Sequence, residues 1–119
     1  MVDVTGQVEA AVREAGVQDG DVIVFCPHTT AGITINENAD PDVVHDVLLA
    51  LDEAVPRSNS RFRHAEGNSD AHTKSSLVGC SEQVLIREGR LVLGTWQAVY
   101  FCEFDGPRSR HVIVQVRGE

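Results

Sequence analysis

Histidines, amides and carboxylates gathered in two polar stretches are the residues of this sequence best suited to chemistry. The first, Cys26 to Asn38, follows the apolar run Val22 to Phe25 and supplies His28, Thr29, Thr30, Asn36, Glu37 and Asn38. The second, Phe62 to His72, supplies Arg63, His64, Glu66, Asn68, Asp70 and His72. Imidazole ligates borderline metals and moves protons near neutral pH. His28, His64 and His72 are therefore candidate metal ligands or acid–base groups, and each equally suits a structural role. Their spacing matches no zinc signature, so only the fold can bring them together. Glu37, Asp46, Glu66 and Asp70 are the nearby carboxylates, able to complete a coordination shell, orient an imidazole or act as a base. Asp70 equally suits a helix cap, Asp46 a solvated face and Glu37 a turn.

Two further groups stand later in the chain. Trp96 beside Gln97 offers a ring to stack on a substrate and an amide to bond its edge, although tryptophan is as often a core residue with one indole hydrogen bond. Arg108 and Arg110, with Arg63 elsewhere, could clamp phosphate or carboxylate bidentately; salt bridges to the many carboxylates are the alternative. Cys26-Pro27-His28 suggests a thiol nucleophile less than it suggests core packing at a strand end. Phosphate-binding and nucleophile-elbow glycine motifs are absent from the sequence.

The elements that must position these groups follow from periodicity. Val8, Ala11, Val12 and Ala15 recur at helical spacing over residues 5–15, with Asp3 or Thr5 as cap and Gly16 as stop. A strand over 22–26 leads into the first polar stretch, where Ile33 and Ile35 alternate with Thr34 and Asn36 as in a half-buried strand. Asp40-Pro41 starts a second helix, striped by Val43, Val47, Ala50, Leu51 and Ala54 and ending near Pro56. Asp70 is the expected cap of a short third helix reaching Gly79, with Leu77 and Val78 inward. Strands are expected at 83–86, 90–93 and 95–104, with turns at Glu88-Gly89 and Asp105 to Arg108. Alternating Val112, Val114 and Val116 form a closing strand. Two or three short helices with at least six strands and no βαβ regularity predict an α+β fold of packed, mainly antiparallel sheets.

The 119 residues suit one compact domain spanning 1–119, large enough for its own core. A formal charge of −8, from 18 acidic and 10 basic residues, argues against nucleic acid as a partner, because polyanion affinity rests on neutralised phosphates. A small phosphate ester held by local arginines or a metal remains compatible. Three widely spaced cysteines, no signal-peptide pattern and no apolar run of spanning length predict a cytoplasmic protein without a membrane partner.

Taken in order, HTTAGITINENADPDV at 28–43, His64, Gly67-Asn68, Ala71-His72, Gly79, Gly89-Arg90-Leu91, LGTWQ at 93–97 and FDGPRSR at 104–110 resemble the YjbQ-like family of small uncharacterised proteins (UPF0047), sometimes labelled secondary thiamine-phosphate synthase. The resemblance covers nearly the whole chain. It implies a compact α+β domain of packed sheets, assembled as a homotrimer with sites near subunit boundaries. It implies His28, His64 and His72 as metal or ligand-binding residues, the metal being divalent, zinc or magnesium. Asn36, Glu37, Asp46, Asn68, Trp96, Gln97, Arg108 and Arg110 would surround them, with His28 or Asp46 managing the proton. The activity implied joins an aminopyrimidine diphosphate to a thiazole phosphate with loss of pyrophosphate. A metal-dependent hydrolase of a small phosphorylated metabolite and a non-catalytic trimeric binding module are the alternatives. Relatives usually carry a strand ahead of the first helix, which is expected here to be cut short or missing.

Overall fold

Helix α1 occupies Thr5–Ala15 and buries Val8 and Val12, the two positions that helical spacing places on one face. It stops at Gly16, whose φ of 69° is the left-handed conformation that glycine adopts at little cost and that lets its N–H reach the carbonyls of Val12 and Arg13. Its start differs from the expectation: Val4 holds the capping position without a side-chain bond, and Asp3 Oδ1 accepts from the Thr5 N–H instead. The structure, a computed structural model, describes residues 1–119.

The strands form two antiparallel sheets. The first contains β1 (Val2–Asp3), β3 (Ala31–Glu37) and β6 (Gln97–Glu103) in the order β1-β6-β3. The second contains β2 (Gly20–Phe25), β4 (Ser81–Arg87), β5 (Arg90–Leu91) and β7 (Ile113–Gly118) in the order β5-β4-β2-β7. The mostly antiparallel α+β architecture is the expected one. The strand ahead of α1 is present in short form, Val2 and Asp3 pairing with Phe101 and Tyr100 at the edge of β6. Between the sheets lies an aliphatic core in which Val22, Val24, Ile33, Val84, Ile86 and Val99 join the valines of α1. Alternation along each strand puts these residues inward and leaves Phe25, Leu85 and Ile113 on the outer face of the second sheet.

Helix α2 (Pro41–Ala54) starts as the sequence dictates: Asp40 Oδ1 accepts from the Asp42 N–H at 2.9 Å, and proline fills the first turn. None of its residues is buried. Val43, Val44, Val47, Leu48 and Leu51 are half-covered and Leu49 is open. The radius of gyration, 15.8 Å with a longest extent of 52 Å, exceeds the roughly 13.5 Å of a compact chain this long. The helix stands off the sandwich, touching a small patch of Ala98, Tyr100 and Cys102 through Val44.

Helix α3 (Ser69–Val78) packs on β3 with an unexpected face. Leu77 is 65 % exposed, whereas Asp70, Ala71, Lys74 and Ser75 are buried. The close approach at Gly32 sets this rotation. Any side chain at Gly32 would collide with the Gly79 carbonyl, which instead accepts from the Ile33 N–H at 3.0 Å. Ser75 Oγ then donates to the Ala31 carbonyl at 2.7 Å, and Lys74 Nζ donates to Asp70 on its own helix and Asp52 on α2. Asp70 is thus an ion-pair partner rather than the cap of α3. No helix is long and apolar enough to cross a membrane.

Candidate functional site

The β3–β6 ladder arranges the candidate residues. It pairs Ala31 with Glu103 at one end and Glu37 with Gln97 at the other. Residues that the sequence places far apart therefore meet at the two ends of one sheet. Six strand steps separate those ends, roughly 20 Å.

At the Ala31 end, the turn after β2 presents His28 and Thr30, and the loop after β6 returns across them. Arg110 donates Nε and Nη2 to the two oxygens of Glu103, each at 2.7 Å, and Nη2 also donates to Thr30 Oγ1 at 2.7 Å. Those bonds hold the Glu103 carboxyl below the usual range although burial pushes it up. His28 stands edge-on to His111, ring centres 5.0 Å apart. Its Nε2 lies 3.1 Å from both the N–H and the carbonyl of His111, accepting from the first when unprotonated and donating to the second when protonated. His28 thus partners His111, not the other two candidate histidines.

His64 and His72 do come together, ring centres 5.5 Å apart and planes at 85°. Beside them Glu66 Oε1 lies 4.0 Å from His64 Nε2. Asn68, at the capping position of α3, does not cap it. Its Nδ2 is drawn away to Asp105 Oδ2 at 2.8 Å and Glu66 Oε2 at 3.4 Å. Carboxylates on the donor side fix the amide's orientation, since the flipped form would set oxygen against oxygen. Asn68 Oδ1 is left buried with no hydrogen-bond partner. Asp105 also accepts from Arg108 Nη2 at 2.8 Å, and the Asn68 bond is the main cause that keeps its carboxyl below the usual range. Arg108 is half-exposed, so its guanidinium keeps N–H groups toward solvent. The segment 103–111 links the two histidine pairs: Glu103 Oε2 accepts from the Asp105 N–H, Asp105 holds Asn68, and Arg110 precedes His111.

Two imidazoles sharing one zinc at roughly 2.1 Å would set their ring centres about 5 Å apart, so the His64–His72 separation fits two ligands of one divalent ion. Within one chain no set of three His, Cys, Asp or Glu side chains converges. A full coordination shell needs the Asn68 carbonyl, water, substrate or another copy. The uncapped start of α3 adds a partial positive charge, set against Asp70 in its first turn and the Glu66 and Asp105 carboxylates beside Asn68.

The other candidates lie elsewhere. Asn36, Glu37, Trp96 and Gln97 share the far end of the sheet, where the Asn38 N–H donates to the Trp96 carbonyl and Gln97 Oε1 accepts from the Gly94 N–H. Trp96 is 61 % exposed and packs into no core. Asp46 lies on the open face of α2, 3.0 Å from His45 Nδ1. Sequence reasoning overlooked Glu103, Asp105, Lys74 and His111 as partners. Only the strand register could have revealed Glu103 opposite Ala31.

Known proteins resemble this chain in sequence and fold over nearly all of its length. The profile of the family described as UPF0047 protein YjbQ-like matches residues 1–119. YugU of Bacillus subtilis is 55% identical over 118 residues, covering 99% of this chain and 89% of its own. MJ1081 of Methanocaldococcus jannaschii is 53% identical over 119 residues, covering 100% of this chain and 86% of its own. Among solved structures, an uncharacterized YjbQ/UPF0047 protein of Clostridium acetobutylicum superposes with a TM-score of 0.95 at 58% identity, covering 98% of this chain and 89% of that one. The conserved hypothetical protein TT1486 of Thermus thermophilus does so with a TM-score of 0.91 at 48% identity, covering 98% and 90%. The chain belongs to the YjbQ-like UPF0047 family.

Proposed function

We propose that this chain is one subunit of a homotrimeric, metal-assisted enzyme that binds a small phosphorylated metabolite where His64, His72, Asn68 and Arg108 meet. The observation that carries this reading is the edge-on His64–His72 pair beside the unpartnered Asn68 Oδ1, at a helix start left without a cap. Together these offer two nitrogen ligands and one buried acceptor, with the half-exposed Arg108 as the nearby cation for phosphate.

The reaction favoured is the thiamine-phosphate synthase one. A C–N bond forms between the aminopyrimidine methylene and the thiazole ring as the C–O bond to diphosphate breaks, and pyrophosphate leaves with the electron pair. His64 and His72 would hold the divalent ion, zinc or magnesium, whose charge would neutralise the leaving pyrophosphate. Arg108 turns its free N–H groups to a phosphate oxygen. Arg110 holds the loop in place through Glu103 and Thr30, and any hold it has on phosphate is exerted through that scaffold. His28 or Asp46 would manage the proton of the reaction. Trp96 stacks on a ring, and Asn36, Glu37 and Gln97 bond its edge.

A homotrimer reconciles the two ends of the sheet. Groups about 20 Å apart cannot grip one small metabolite within one chain. A cyclic assembly places different patches of neighbouring copies against each other. The uncovered stripe of α2 supplies an apolar surface for that contact and carries Asp46 with it.

The test combines metal and turnover. Protein purified without chelator is analysed for bound metal, then supplied with magnesium or zinc and the two thiamine precursors. Thiamine phosphate and pyrophosphate in equal amounts are expected, with His72→Ala lowering metal content and product together. Inorganic phosphate without a joined product would assign a hydrolase instead. Tight phosphate binding without turnover would assign a binding module. Unchanged metal content in His72→Ala would remove His72 from the ligand set.

A further inference from the structure

The β2–β4 ladder runs from Gly20 opposite Ile86 to Phe25 opposite Ser81, so one further step sets Cys26 opposite Cys80. That step exists in the fold: the Cys26 N–H donates to the Cys80 carbonyl at 2.7 Å. Opposed residues of such a hydrogen-bonded antiparallel pair have Cα atoms about 5.5 Å apart, inside the range of roughly 4.4–6.8 Å that a disulfide spans. Alternation puts both side chains on one face, since Val22 and Val24 on β2 and Val84 and Ile86 on β4 all point into the core. The pair sits at the end of the sandwich, so the two thiols differ in access. Cys26 is 1 % exposed, whereas Cys80 is open to solvent.

We propose that Cys80 and Cys26 form a thiol–disulfide exchange site for low-molecular-weight disulfides, with Cys80 as the attacking thiol and Cys26 as the resolving one. The Cys80 thiolate attacks one sulfur of the reagent disulfide, forming a mixed disulfide and releasing one reagent thiolate, which takes up a proton. The Cys26 thiolate then attacks the Cys80 sulfur, and the second reagent thiol leaves. Two electrons pass from the two cysteine sulfurs to the reagent, and the chain gains an internal Cys26–Cys80 bond.

The division of labour follows from the surroundings. Cys26 is enclosed by the core and out of reach of a reagent in solution, whereas Cys80 is open to it. Cys26 is therefore a poor first nucleophile, and becomes effective once Cys80 presents a sulfur directly across the ladder. Cys102 belongs to the small patch on the other face of the first sheet, where burial pushes its thiol up to about 11. It stays a thiol throughout. The new bond would join the end of β2, two residues before His28, to the junction where α3 ends and β4 begins. This site goes beyond the metal-assisted reading and depends on none of its residues.

Intact-mass spectrometry of the full chain after incubation with glutathione disulfide tests the proposal. The expected product is two hydrogens lighter than the reduced protein. It yields a peptide containing Cys26 linked to one containing Cys80, and retains one free thiol at Cys102. Dithiothreitol restores the reduced mass. Cys26→Ala should trap a glutathione adduct on Cys80, and Cys80→Ser should give neither adduct nor internal link. Should Cys26→Ala fail to fold, wild type and Cys80→Ser still decide the matter. A lasting glutathione adduct on wild-type Cys80, a link between two copies, or no reaction would each overturn it.

Discussion

Arg110 grips Glu103 with two parallel N–H···O bonds of 2.7 Å each, and this pair closes the end of the sheet where the chain crosses back toward β7. Both side chains are largely covered, at 12 % and 23 % exposure. Arg110→Ala would leave Glu103 facing a partly dry pocket without its counterion, and we expect a loss of about 2 kcal/mol in urea denaturation. Arg110→Lys keeps the charge but not the fork, and should lose about half of that.

The same pair sets a pH dependence. Arg110 depresses the folded-state titration of Glu103, with burial opposing it. The pair's stabilisation is therefore complete above the ordinary glutamate value of 4.5 and is lost as pH falls from there through the lower folded value. The gap between wild type and Arg110→Ala should narrow on acidification below pH 4.5. A gap constant with pH would show that Arg110 acts by packing alone.

Asn68 sits between two carboxylates that both require a donor. Asn68→Asp is nearly isosteric but sets a third carboxylate against Asp105 and Glu66. We expect a loss of about 1–3 kcal/mol at neutral pH. Because one proton restores an O–H···O bond, the gap between this variant and wild type should already narrow in mild acid, before the Arg110–Glu103 pair is lost at lower pH. Denaturation curves at two pH values distinguish the two. In the metal-assisted reading, Asn68→Asp also alters ion affinity, which titration with zinc or magnesium would record separately from stability.

Lys74 is almost wholly buried between Asp70, equally buried, and Asp52, which is largely exposed. Burial alone would lower its titration, yet hydrogen bonds to the two aspartates outweigh that and hold it above the ordinary lysine value. Lys74→Met strands the Asp70 charge in the interior and should cost about 3 kcal/mol. Adding Asp70→Asn removes that charge, so the double variant should be more stable than Lys74→Met. A double variant no better than the single would show that Lys74 is needed for more than neutralising Asp70.

Local rules made much of this fold legible. Gly16 as a stop, Asp40-Pro41 as a start and the alternating valines of β2 and β7 each depend on neighbours along the chain, and the structure places them as expected. The rotation of α3 could not be read that way. Leu77 and Val78 look like its inward face; Val78 does pack inward against the Ala98–Tyr100–Cys102 patch, but the backbone contact at Gly32 brings Lys74 and Ser75 in beside it and leaves Leu77 exposed. The candidate site divides along the same line. His64 and His72 lie close in sequence and meet, whereas His28 finds His111, 83 residues away, through a loop whose path depends on the Arg110–Glu103 pair.

The stripe of α2 is the feature that sequence and structure leave in tension, because its apolar spacing predicts burial and yet no residue of the helix is buried. Its cap and proline start make the helix locally stable, so its position depends on the Lys74–Asp52 pair, the Val44 contact and whatever covers the rest. If a second copy covers it, Val47→Glu, in the middle of the stripe, should abolish assembly while leaving the subunit folded, since Val47 is only half-covered within one chain. Light scattering should then report a monomer for the variant and, on the proposed assembly, a trimer for the wild type, with an unchanged far-ultraviolet circular dichroism spectrum. If the two ends of the sheet form one site only between copies, the same variant should lose turnover even though Val47 is not assigned to the binding of metal or phosphate. A monomeric variant with full turnover would confine the site to one chain, and a variant that still forms trimers would move the interface away from α2, with the outer face of the second sheet around Phe25, Leu85 and Ile113 as the next surface to alter.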